Sequence, residues 1–160
     1  MNADERRQYY RAAADRWIEG VRLQVRRCLD AKSGDTFFDS NFLVVAVVRL
    51  REIARMAGNR LRGVDLAGAL GRFDAAHPEL RDVRDYQEHI LAPALIGTSM
   101  YFSGGALVRL CGDSRVETLV DPLQLLEDAE RLHTAICDVL GQLPHPGGTC
   151  VVRPPDKKQR

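Results

Sequence analysis

The sequence is short of several things, and each shortage excludes a class. Lysine is scarce: of 23 basic residues only Lys32, Lys157 and Lys158 are lysine, and the rest are arginine. With abundant Ala, Leu, Val and Gly, that bias is what a GC-rich bacterial coding sequence produces, and it is not by itself phosphate recognition. Charge of one sign is lacking too. The net charge is +1, so any nucleic-acid contact is expected to be local and not carried by a strongly basic surface. The longest apolar run, Phe42 to Val48, is too short to span a bilayer. The charged N-terminus from Asp4 to Arg7 has no signal-peptide character. Cys28, Cys111, Cys137 and Cys150 contain no C-x-x-C pair, and three of them sit in apolar-patterned segments and read as small buried hydrophobes, which favours a reducing cytoplasm. No P-loop, dinucleotide fingerprint, G-x-S-x-G or internal repeat is found.

What is present is helical periodicity. Over Ala3 to Leu29 the residues Tyr10, Ala14, Trp17, Ile18, Val21, Val25 and Cys28 recur at steps of three and four, the stripe of an amphipathic helix. Asn2 and Glu5 supply its capping box, and the arginines around it read as a solvated face. A second helix is expected over Asn41 to Ala57, capped by Asp39 or Ser40, and closed by the turn chemistry of GNRLRG. A short third helix follows Asp65, with Leu66, Ala69, Leu70 and Phe73 on one face. Pro78 opens a fourth, to about Leu91. Alternation around a Gly-Asp-Ser turn predicts a β-hairpin at about 106–120, with 100–103 a candidate third strand. Asp121, Pro122 and Gln124 then start the last helix, with Leu125, Ala129, Leu132, Ile136 and Val139 inside.

The expected fold is therefore mainly α, a bundle of about five helices with one small hairpin before the last. One helical domain covers 1–143, and 144–160, rich in Pro, Gly and charge, is expected to be a disordered tail.

The stretch LRDVRDYQEHI, Leu80 to Ile90, concentrates chemistry. On a helix Asp82, Asp85 and His89 fall on one line, and Asp85 can hydrogen-bond His89 at i+4, fixing its tautomer. The bland reading is a salt-bridged helix surface. Arg84-Asp85-Tyr86-Gln87-Glu88-His89 also resembles the R-x4-H motif of HEPN domains, with a polar residue directly after the arginine. That resemblance implies a small, often dimeric helical bundle and a metal-independent endoribonuclease of a defence or toxin–antitoxin type. It implies attack of the RNA 2′-hydroxyl on the adjacent phosphate. His89 would then be general acid or base, Arg84 would neutralise the transition state, and Asp85 would orient the site. A second register, Arg81-Asp82 with Tyr86 in the histidine's place, stays open.

Other constellations are set aside at this level. Glu130-x-x-His133 has no second copy for a di-iron site, so no metal or cofactor is expected. No cysteine has a base at readable spacing. His77 and His145 adjoin prolines and read as loop positions, and Glu127, Asp128 and Glu130 as a solvated face. Two functions remain: the HEPN-like ribonuclease, and a non-catalytic helical module that acts by dimerisation or by binding a protein partner. The expected partners are a second copy, RNA or a protein, and no membrane; the expected location is the cytoplasm.

Overall fold

The computed structural model describes residues 1–30, 37–80, 98–103, 106–111 and 115–142, the strands among them by backbone pairing alone. Four helices dominate: α1 (Ala3–Asp30), α2 (Phe37–Arg60), α3 (Ala67–Ala76) and α4 (Pro122–Gln142). The chain is mainly helical. The helix expected from Pro78 to about Leu91 lies outside the described residues from 81 onward, as does the tail expected over 144–160.

α1 begins where its cap dictates. Asn2 N–H donates to Glu5 Oε2 and Glu5 N–H donates to Asn2 Oδ1, both at 2.8 Å, so two donors that a helix start leaves orphaned are satisfied reciprocally. The apolar stripe read from the sequence faces inward: Tyr10, Ala14, Ile18, Val21, Val25 and Cys28 are buried, and Trp17 packs against the same core. α2 lies alongside α1 and contributes Leu43, Val44, Val47, Leu50 and Ala54. α4 closes the layer with Leu125, Ala129, Leu132 and Ile136.

The start of α2 corrects an expectation. The helix begins at Phe37, so Asp39 and Ser40 lie in its first turn instead of capping it. There Asp39 carries negative charge at the positive end of the helix dipole and reaches Arg27 of α1 at 3.5 Å. An apolar run on every side hides the helical phase, which is why the boundary was not visible.

Gly63, with φ 75°, lets the chain turn out of α2. Asp65 then caps α3 from one position outside the N-cap, its Oδ1 accepting from Ala67 N–H at 3.0 Å. At α4 the Asp121 carboxylate accepts from Leu123 N–H at 2.8 Å and from Gln124 N–H at 3.4 Å. Pro122 occupies the first position, where no N–H is needed.

The backbone also carries strands β1 (Thr98–Ser103), β2 (Ala106–Cys111) and β3 (Arg115–Val120), antiparallel in the order β1-β2-β3. The β2–β3 register shifts between Leu107 and Val108, the signature of a bulge. β1 is the strand that neighbours α2.

Candidate functional site

The residues singled out in the sequence motif, Arg84, Asp85 and His89, and those of the second register, Arg81, Asp82 and Tyr86, all lie outside the described residues. The described residues run to Leu80, at the threshold of that segment. His77 sits at the C-cap of α3, its N–H donating to the Phe73 carbonyl at 3.1 Å. Leu80 N–H then donates to the His77 carbonyl at 3.2 Å, and the Leu80 side chain is buried.

His77 lies just past the end of α3, as its proline neighbour suggested, but it is not a solvent-facing loop residue. It is only 6% exposed, because its ring packs against Phe73 with centroids 5.2 Å apart. A buried imidazole needs a polar partner, and α4 provides one: His77 Nε2 lies 3.0 Å from Asp128 Oδ2. Asp128 in turn accepts from Gln124 Nε2 at 3.0 Å and from Arg131 Nη1 at 2.6 Å. The acids of α4 are thus not merely a solvated face. Asp128 is a hub between α3 and α4, and Glu130 Oε1 accepts from Arg22 Nε of α1 at 3.0 Å. Burial pushes the Asp128 carboxyl up. The hydrogen bonds from Gln124 and His77, with the charges of His77 and Arg131, outweigh burial and hold it below its ordinary value.

Beside His77 opens a cavity of about 390 Å³, lined by Arg51, Glu52, Phe73, Asp74, His77 and Leu80 among others. Its cation is already committed: Arg51 Nε and Nη2 meet Asp74 Oδ1 and Oδ2, each at 2.6 Å. This fork-to-fork pair ties α2 to α3. It leaves a cavity whose described lining is more apolar than polar, with Arg51 held by Asp74 and Glu52 as a second carboxylate, which does not favour capture of a bare phosphate.

A second constellation lies between α1 and α4. His133 Nε2 is 2.7 Å from Asp15 Oδ1 and 3.4 Å from Cys137 Sγ, and Cys137 Sγ is 3.8 Å from Asp15 Oδ1. The expectation that no cysteine has a base at readable spacing is therefore wrong for Cys137. The available signal was His133-x3-Cys137, two polar side chains at i and i+4 on one helix face; Asp15 comes from another helix and no spacing announces it. Burial pushes the Cys137 thiol up, Arg11 opposes the rise, and Asp15 and Asp138 add to it.

These partners also decide the Glu130-x-x-His133 unit. Glu130 turns to Arg22 and His133 to Asp15, so the two do not converge. Among the described residues no helix is long and apolar enough to cross a membrane. Compared with protein-family models, curated proteins and solved structures, the chain matches none.

Proposed function

We propose that the chain is a HEPN-like helical protein that acts as a metal-independent endoribonuclease in a defence or toxin–antitoxin setting. The observation that carries this reading is Arg84 followed by Asp85 and, five positions after the arginine, by His89, in a chain that is mainly helical. In this reading 78–91 supplies the additional helix that brings the bundle to about five, with the hairpin of 106–120 before the last. Two other histidines, His77 and His133, are engaged by Asp128 and Asp15 and serve the bundle's own cross-links. His89 is then the general acid or base, suited by titration near neutrality. The planar fork of Arg84 matches the phosphate oxygens on which charge develops. Asp85 orients the imidazole, and a two-fold pair of copies would set two motifs against each other.

The test is cleavage of RNA by the purified protein in EDTA, beside Arg84→Ala and His89→Ala. Loss of an acid–base residue is expected to cost about 100- to 10,000-fold in rate. Absence of cleavage above background, or cleavage equal in all three proteins, contradicts the reading. Cleavage lost in Arg81→Ala but kept in Arg84→Ala would move the site to the second register.

One observation favours a second reading, a non-catalytic module that acts by self-association. Phe38, Phe42 and Val45 of α2 are 65%, 56% and 41% exposed. They are spaced four and three residues apart, so they share one outward face, the pattern with which helices pack against helices.

A further inference from the structure

Three ligand-type atoms converge at the α1–α4 seam: Asp15 Oδ1, His133 Nε2 and Cys137 Sγ lie within 4.8 Å of one another. The chemistry this geometry suits is decided by which imidazole nitrogen is used. In a cysteine–histidine–aspartate relay the thiol faces one ring nitrogen and the carboxylate holds the other, so that the proton taken from sulfur is balanced across the ring. Here the same nitrogen, Nε2, faces both the carboxylate and the thiol. That arrangement cannot relay a proton across the ring. It gathers three ligand-type atoms closely enough for one metal ion to reach them all.

We propose that Asp15, His133 and Cys137 form a binding site for a zinc-class divalent transition metal. The distances fit. Around a tetrahedral zinc with ordinary Zn–N, Zn–O and Zn–S bonds, ligand atoms stand roughly 3.3–3.6 Å apart. The Cys137–His133 and Cys137–Asp15 separations, 3.4 and 3.8 Å, are already close to that. The Asp15–His133 separation of 2.7 Å is that of a hydrogen bond and must open by at least about 0.6 Å when a metal replaces the shared proton. The donor set is one soft sulfur, one imidazole nitrogen and one carboxylate oxygen, a mixture that suits Zn(II) and its neighbours and not Mg(II) or Ca(II).

Binding is balanced in charge and protons. The thiol releases its proton to solvent, the imidazole binds as the neutral tautomer with its proton on Nδ1, and thiolate plus carboxylate offset the two positive charges of the ion. Three protein ligands leave a fourth tetrahedral position for water. Such an ion would clamp α1 to α4, and the inference stands independently of the ribonuclease reading.

Cobalt(II) is the probe, because thiolate ligation gives it a charge-transfer band in the near ultraviolet and tetrahedral geometry gives it intense visible bands. The full-length protein is expected to take up one equivalent with both features and to melt at higher temperature with zinc present. A variant with Cys28→Ser, Cys111→Ser and Cys150→Ser, in which Cys137 is the only thiol, should keep both. Cys137→Ser should lose the charge-transfer band, and Asp15→Asn, at an exposed position that leaves the core untouched, should weaken affinity at least tenfold. A charge-transfer band that survives Cys137→Ser, or no band in the wild type, overturns the proposal. So does unchanged affinity in Asp15→Asn.

Discussion

Asp128 shows what one side chain can do when three neighbours depend on it. Its carboxylate serves His77, Gln124 and Arg131 together, and its folded pKa lies below the ordinary value of 3.8. A lowered carboxyl contributes stability that is fully present above its unfolded value and is lost as pH falls through its folded value. Asp128→Asn is therefore expected to be less stable than wild type at pH 7, by about 1–3 kcal/mol. Its stability should also fall less steeply below about pH 4. Urea unfolding at a series of pH values reads both effects, and parallel acid limbs in the two proteins would contradict this account. Gln124 and Arg131 stand four and three positions from Asp128, spacings that a helix brings together, but the link that crosses to α3 was not visible in the sequence. Asp128 looks like any acid on an exposed helical face, and its partner His77 lies 51 positions away.

At the scale of the element, what the sequence encodes locally was legible. The capping box of α1 and the Asp121-Pro122 start of α4 are contained in a few adjacent residues, and periodicity alone picks out the buried stripes. What escaped was whatever a second element decides: the early start of α2, the pairing of Glu130 with Arg22, and the meeting of Asp15 with His133, 118 positions apart. The cap of α4 offers a direct measurement. Asp121→Ala leaves the N–H groups of Leu123 and Gln124 without their acceptor, which costs about 1 kcal/mol. For a chain of this size that lowers the melting temperature by roughly 2–4 °C. An unchanged melting temperature would show that solvent satisfies those donors equally well.

For the whole molecule, the described helices form one core shared by α1, α2, α3 and α4, so a partner need only cover an outer face. The apolar face of α2 makes a prediction about assembly. If Phe42 and Val45 bind a second copy, light scattering should give twice the chain mass of 17.9 kDa, and Phe42→Glu should return the mass to that of one chain while the helical circular dichroism signal is kept. A monomeric wild type, or a Phe42→Glu variant that still associates, removes α2 as the interface. The candidate ribonuclease residues were legible as a motif and not as a geometry, because a spacing of five positions sets two side chains about 140° apart around a helix and says nothing about what faces either of them.

Trp17 is the chain's single tryptophan, and it packs against the core from α1. Its fluorescence is consequently an optical gauge of the bundle. The emission should shift to the red when α1 separates from its neighbours, with no label attached and no competing indole elsewhere in the chain. Intensity changes on adding RNA, metal or a second protein could then be assigned to one known place in the fold.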